Sequence, residues 1–126
     1  MLFRSLLKAG NQRFVAGKLE HPRQTAKRRT ELATGQRPFA VVLGCADSRT
    51  APEVIFDQGL GDVFVVRVAG NVLNDETIGS IEYAVEHLNV PLCVVADQWN
   101  GTGWSAGRST TRNVEGSSEN IGVGYL

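Results

Sequence analysis

Three short, continuous apolar runs lie between residues 39 and 95 of the chain. They cover residues 39–44, 62–68 and 90–95, and valine is the commonest residue in them. Valine and other β-branched residues favour strands. Apolar positions that are continuous rather than alternating are typical of strands covered on both faces. The pattern therefore predicts three buried strands.

Helical segments are predicted between these strands. A short one runs from residue 51 to about 58, where Gly59 and Gly61 follow, and a longer one covers residues 75–88. Asn74 is the predicted N-cap of the longer helix, because its side chain can accept a hydrogen bond from the first turn. The apolar positions of that helix recur at helical spacing. They are Ile78, Ile81, Ala84, Val85 and Leu88.

Two further helices are predicted before the first strand, at residues 3–16 and about 25–34, with Gly35 ending the second. Strands that alternate with helices across short links predict an α/β fold, with a parallel β-sheet core, flanking helices and an N-terminal helical arm. We divide the chain into the arm (residues 1–37), an α/β half-domain (38–95) and a tail (96–126). The tail is rich in Gly and Ser and has no regular period, which predicts irregular and poorly ordered structure.

The charge of the chain is balanced overall but uneven. Formal net charge is zero, whereas residues 1–37 hold nine Lys or Arg against Glu20 and Glu31. A basic arm of this kind is open to two interpretations, a nucleic-acid contact or a solvated face that lies on an acidic body such as a partner subunit. No aromatic residues are interleaved as a stacking surface would need. We therefore predict no nucleic-acid partner.

The chain carries no signal for membrane insertion or export. No apolar run approaches the about 20 residues that span a bilayer, and the first 14 residues lack a cleavage pattern of small residues. The two cysteines, Cys45 and Cys93, do not form a disulfide framework. These observations predict a cytoplasmic protein with no membrane partner.

Candidate chemistry follows the first strand. Cys45, Asp47 and Arg49 occupy alternate positions, so an extended chain would direct all three to one side, beyond the carboxyl end of the strand. A thiolate binds zinc, a carboxylate can accept a hydrogen bond from a reacting water or ligate the metal, and an arginine can hold that carboxylate in a bidentate pair. The spacing alone leaves a second interpretation open, a packed cysteine next to a surface ion pair.

Three other kinds of site are disfavoured by spacing. A cysteine phosphatase loop needs Arg six positions after its Cys, where this chain has Ala51. A thioredoxin-like site needs a second Cys three positions on, and that residue is Ser48. No strand is followed by the glycine triplet of a dinucleotide-binding turn.

Several motifs in the same order resemble the β-class carbonic anhydrases. The matching stretches are Gly10-Asn11-x-Arg13-Phe14, Gly35-Gln36-x-Pro38, Cys45-Ala46-Asp47-Ser48-Arg49, Pro52-Glu53, Phe56-Asp57, Gly61-Asp62-x-Phe64-Val65-Val66-Arg67-x-Ala69-Gly70-Asn71 and Gly79-Ser80-Ile81-Glu82-Tyr83-Ala84-Val85. The resemblance implies a zinc-dependent lyase (carbonate dehydratase) that reversibly hydrates carbon dioxide to bicarbonate. It also implies a homo-oligomer, at least a dimer, whose N-terminal helices embrace a second subunit.

The resemblance also implies roles for individual residues. Cys45 resembles the first Zn²⁺ ligand of the family. Asp47 and Arg49 resemble the pair beside the metal, in which the carboxylate either orients the reacting water or becomes a ligand itself. Ser48, Gly70 and Asn71 resemble residues that line the pocket.

The chain departs from the family pattern after the third strand. The family has a Gly-His-x-x-Cys stretch that gives the metal a His and a second Cys, whereas residues 97–102 contain neither, and no Cys follows Cys93 and no His follows His87. Cys93 is predicted in the core and His87 at a helix end, where neither can join Cys45. We therefore expect impaired hydration, with an alternative function as an inactive remnant that only docks on an intact relative. The change at residue 96 predicts a truncated or frameshifted gene product, which the other two reading frames of the DNA would test.

Overall fold

The computed structural model describes residues 2–97, 108–113 and 118–122. Both tryptophans and most of the stretch at which the family pattern places its second pair of ligands (98–102) lie outside them. The helices are α1 (Leu2–Val15), α2 (Ala26–Glu31), α3 (Pro52–Ile55) and α4 (Asp75–His87). The strands are β1 (Ala40–Cys45), β2 (Val63–Val68), β3 (Leu92–Asp97), β4 (Arg108–Asn113) and β5 (Ser118–Gly122).

The described strands form one five-stranded sheet in the order β2-β1-β3-β4-β5. β1 pairs in parallel with both β2 and β3, whereas β3–β4 and β4–β5 are antiparallel. The parallel three-stranded core with flanking helices confirms the predicted α/β class. Because the carboxyl ends of the three parallel strands meet at one edge, the segments after Cys45 and Val68 are neighbours there.

Several strand and helix boundaries differ from their predictions by one to three residues, and α3 ends at Ile55 rather than near residue 58. β3 begins at Leu92 rather than at residue 90, because Pro91 has no N–H to give to the ladder. α2 ends at Glu31, well before Gly35, and Leu32 caps it. Its N-terminus is set by Thr25, whose side chain accepts a hydrogen bond from the Arg28 N–H.

The core has two layers, one on each face of the sheet. Alternate residues of β1 point to opposite faces. Val42 packs with α1 and α3 through Leu7 and Ile55, and Val41 packs with α4 through Ala84. All six residues of β1 are buried. The prediction of a strand covered on both faces is therefore confirmed for β1.

α4 begins as predicted. The Asn74 side chain accepts from the Thr77 N–H, and the Thr77 hydroxyl accepts from the Asn74 N–H, both at 2.9 Å, which forms a capping box. Ala84 is buried and Ile81 and Leu88 pack against the core, but Ile78 is 43% exposed. The predicted apolar stripe is therefore buried only in part, and Ile78 is its exposed end.

The arm is attached to the body of the same chain. Arg13 pairs with Asp57 and Arg23 with Asp62, and both carboxylates are buried. Arg28 donates from Nε to the carbonyl of Leu60 at 3.0 Å. Part of the basic charge of the arm therefore neutralises acidic residues of its own α/β body.

The tail differs from its prediction at two segments. Residues 108–113 and 118–122 are strands β4 and β5, where irregular structure was predicted. β4 pairs along the whole of β3, from Leu92↔Asn113 to Asp97↔Arg108. The free edge of β3 offers a row of backbone donors and acceptors, so pairing can organise a segment that has no hydrophobic period of its own.

Among the described residues, no helix combines the length and the apolar character that crossing a bilayer requires.

Candidate functional site

Cys45 is the last residue of β1 and lies at the carboxyl edge of the sheet. It is 9% exposed, and its thiol is free of any disulfide. The main-chain N–H of Gly70 donates to the Cys45 Sγ at 3.2 Å. The neighbouring segment after β2 therefore supplies a hydrogen-bond donor to this thiol.

Asp47 and Arg49 form the bidentate pair that the sequence predicted. Arg49 donates from Nε to Oδ1 at 3.0 Å and from Nη2 to Oδ2 at 2.9 Å, and its main-chain N–H donates to Oδ1 at 2.9 Å. The side-chain hydrogen bond from Arg49 is the main reason that the pKa of Asp47 falls to about 2. The carboxylate is therefore ionised at any physiological pH.

The backbone between these residues is a turn rather than an extended segment. The Thr50 N–H donates to the Asp47 carbonyl at 3.1 Å, which closes a tight turn over residues 47–50. The expectation that an extended chain would align the three side chains is wrong, because the Asp47 side chain folds back onto the Arg49 N–H. Ser48 lies in this turn and is exposed.

Gly70 and Asn71 are in the short turn after β2, and both have positive φ angles, 72° and 56°. Asn71 donates from Nδ2 to the carbonyl of Ala96 on β3, which ties this turn to the third strand of the parallel core. The Asn71 Oδ1 is buried and has no hydrogen-bond partner among the described residues. The structure thus brings Gly70 to the Cys45 thiol and turns Asn71 towards β3.

Arg67 is a site residue to which the sequence analysis gave no role. It lies on β2 opposite Gly44 and donates from Nε to the Cys45 carbonyl at 2.9 Å and from Nη2 to the Asp47 carbonyl at 2.7 Å. The available signal was a charged residue between Val66 and Val68 in an otherwise apolar strand. An arginine in that setting needs polar partners.

The described donors do not fit a catalytic zinc centre, which takes three protein ligands and a water. Cys45 and Asp47 are the two candidates at the edge, and the residues that the structure describes hold no group of three His, Cys, Asp or Glu side chains able to share a metal. Cys93 pairs with Val41, four residues before Cys45 and so roughly 13 Å away along the strand. His87 is the last residue of α4, with its ring tilted against that of Tyr83, and the main-chain N–H of His21 donates to Asp57.

Comparison with known proteins gives a consistent result. A family model described as carbonic anhydrase matches residues 40–115, beyond the Val95 limit of the sequence resemblance. Carbonic anhydrase 2 of Mycobacterium tuberculosis is 64% identical over 89 residues, which are 71% of this chain and 43% of that protein. The carbonic anhydrase of Mycolicibacterium smegmatis is 62% identical over the same shares of the two chains. This chain therefore spans less than half the length of these curated relatives.

Two solved β-carbonic anhydrase structures are also similar to this chain, each with a TM-score below 0.5. One of two tetrameric β-carbonic anhydrases of Sordaria macrospora is 41% identical, over 50% of this chain and 34% of that one, with a TM-score of 0.48. A β-carbonic anhydrase of Aspergillus fumigatus is 37% identical, over 70% of this chain and 42% of that one, with a TM-score of 0.49.

Proposed function

This chain belongs to the β-class carbonic anhydrase family, and from that premise we propose that its site serves the reversible hydration of carbon dioxide to bicarbonate. The observation that carries the proposal is the Asp47–Arg49 pair, held in a turn directly after Cys45. Carbon dioxide and bicarbonate are the proposed small-molecule partners.

In this proposal Asp47 orients the water that reacts with carbon dioxide. A carboxylate oxygen can accept two hydrogen bonds. In the described contacts Oδ1 accepts two, both from Arg49, whereas Oδ2 accepts one. We assign the second acceptor position of Oδ2 to a water O–H, whose direction the Arg49 clamp would fix. A fixed acceptor lowers the entropy cost of placing the water beside the substrate carbon.

Zinc is the cofactor that family membership implies, and it would lower the pKa of water to about 7. The described residues offer a thiol and a carboxylate towards it, and Asp47 is already paired with Arg49. We therefore propose that hydration is impaired in the isolated chain, because two donors hold zinc far more weakly than three.

The test combines metal content with catalysis. Protein purified without added metal would be analysed for zinc per chain, and carbon dioxide hydration would be followed by stopped flow for the wild type, Asp47→Asn and Cys45→Ser. Glu82→Gln, an exposed carboxylate on α4, is the matched control. The impairment proposal expects well under one zinc per chain and slow hydration that Asp47→Asn reduces further.

Two results would change this conclusion. One zinc per chain, lost in Cys45→Ser, together with fast hydration would show a complete site and contradict the impairment. Hydration at the buffer rate in every variant would contradict the activity itself.

A second candidate is an inactive protein that docks on an intact relative or on a second copy of itself. The observation that favours it is the exposed apolar pair that follows the turn at Gly70 and Asn71, where Val72 is 58% and Leu73 61% exposed. Analytical ultracentrifugation of the chain, alone and mixed with a full-length relative, tests it. If this chain sediments as a monomer both alone and in the presence of the relative, docking is ruled out.

Two free cysteines support a reducing, cytoplasmic setting for either function.

A further inference from the structure

The segment that carries the candidate site is fastened to β2 through its main chain. The Ala46 N–H donates to the Val68 carbonyl at 3.2 Å, which continues the parallel ladder by one residue beyond β1. The carbonyls of Cys45 and Asp47, on either side of Ala46, both accept from the Arg67 guanidinium. Two of these three attachments to β2 therefore depend on one side chain.

The Asp47 carbonyl is the centre of this arrangement. It accepts from the Thr50 N–H and the Thr50 hydroxyl, both at 3.1 Å, and from Arg67 Nη2 at 2.7 Å. The two bonds from Thr50 close the turn internally but leave its orientation relative to the sheet undetermined. The bond from Arg67 ties the turn to the neighbouring strand β2.

We infer that Arg67 is a positioning residue, which sets the places of the Cys45 thiol and the Asp47 carboxylate by holding the main chain that carries them. A guanidinium suits this role because it is a planar fork of donors, and here Nε and Nη2 reach two carbonyls that are two residues apart. A lysine has a single donor atom and cannot reproduce that fork. For its catalytic consequence this inference depends on the proposed function, but its test does not.

The test is the alkylation of Cys45, measured at one fixed pH with iodoacetamide and read by mass spectrometry at both cysteines. In Arg67→Met the loosened turn should expose the thiol, and the rate at Cys45 should rise by about tenfold, which corresponds to the loss of one ordinary hydrogen bond. Cys93, on β3 and packed against the core, is the internal reference, and its rate should not change.

Arg28→Met is the matched control. Arg28 lies in the arm, and like Arg67 it donates to a main-chain carbonyl, which is that of Leu60. This variant should leave Cys45 at the wild-type rate. Arg67→Lys keeps the charge and one donor atom, and it is expected to give an intermediate Cys45 alkylation rate even if Arg67→Met fails to fold.

A spectroscopic measurement separates positioning of the turn from general stability. The ¹⁵N–¹H signal of Arg49 Nε should move in the Arg67 variants, with amide shifts confined to residues 45–50 and 68–71.

An unchanged Cys45 rate and an unmoved Arg49 signal in Arg67→Lys would overturn the inference. So would an equal rise at Cys93, because that would indicate general loosening of the sheet. The alkylation needs neither zinc nor catalysis, so failure of the proposed function leaves this result intact, and failure here leaves the hydration assay to decide the function.

Discussion

Arg13 and Asp57 are 44 positions apart in the chain, yet Arg13 Nε donates to Asp57 Oδ2 at 2.6 Å. The same carboxylate accepts from the main-chain N–H groups of Glu20 and His21. One buried side chain, two residues after α3, therefore binds both the end of α1 and residues 20–21 of the arm. The relationship makes Asp57 a principal anchor of the arm on the α/β body.

Asp57→Asn should lower the free energy of unfolding at pH 7 by about 2 kcal/mol, because it replaces charge-assisted hydrogen bonds with neutral ones. Asparagine tolerates the positive φ of this position, 47°, so the backbone is not strained. Urea denaturation of Asp57→Asn and of the exposed-site control Glu82→Gln measures the difference. Equal stability of Asp57→Asn and wild type would show that the anchor contributes nothing.

The same pair predicts a dependence on pH. Burial alone would raise the pKa of Asp57, but the hydrogen bonds from Glu20, Arg13 and His21 outweigh it, and the net pKa is lowered. A folded-state pKa below the unfolded value means that the stabilisation is complete above about pH 4 and disappears as the pH falls through the folded value. The gap between wild type and Asp57→Asn should therefore close in acid, as measured by urea midpoints from pH 7 to pH 2.5. A constant gap would contradict this prediction.

Gly10 allows α1 to approach α3 closely. A Cβ at this position would lie 1.7 Å from the carbonyl oxygen of Phe56. Gly10→Ala should therefore destabilise the fold by at least about 2 kcal/mol through overpacking. Gly79→Ala in α4, where a Cβ would meet nothing within 4 Å, should stabilise it by about 0.5–1 kcal/mol through helix propensity. Thermal unfolding of the two variants should give shifts of opposite sign, and shifts of the same sign would refute this account.

The capping box of α4 is open to a direct test. Asn74→Ala removes the acceptor for the Thr77 N–H and should cost about 1 kcal/mol. Asn74→Asp keeps an acceptor at the same place and should retain most of that stability. Chemical denaturation of both variants distinguishes capping from a simple effect of substitution, which would destabilise the two alike.

Gly70 is the turn residue whose N–H reaches the Cys45 thiol, and its φ angle of 72° lies in the left-handed region. Gly70→Ala should cost about 1–2 kcal/mol in backbone strain. Gly35→Ala, where the φ is not left-handed and a Cβ would have open space, should change stability by less than about 0.5 kcal/mol. The two thermal midpoints test the prediction, and comparable values would argue against strain at Gly70.

Local patterns in the sequence were sufficient to predict the three parallel strands, α1 and the Asn74 cap. Each of these depends on neighbouring residues, through β-branched runs, helical spacing or a cap two or three residues away. The same patterns did not give the end of α2 or the exposure of Ile78, because helical spacing does not encode the tertiary contacts of a helix. They also missed β4 and β5, whose formation depends on the free edge of β3.

For the site, the sequence by itself determined which chemical groups are available. It contains the Cys45, Asp47 and Arg49 set and the motifs of the family, and it has no cysteine after Cys93 and no histidine after His87. Only the tertiary structure decided which groups meet. The Gly70 N–H donates to the Cys45 thiol, and the Arg67 guanidinium donates to the carbonyls of Cys45 and Asp47. These hydrogen bonds join residues that are 20 to 25 positions apart. Such contacts are set by the register of β1 against β2, which no local pattern encodes.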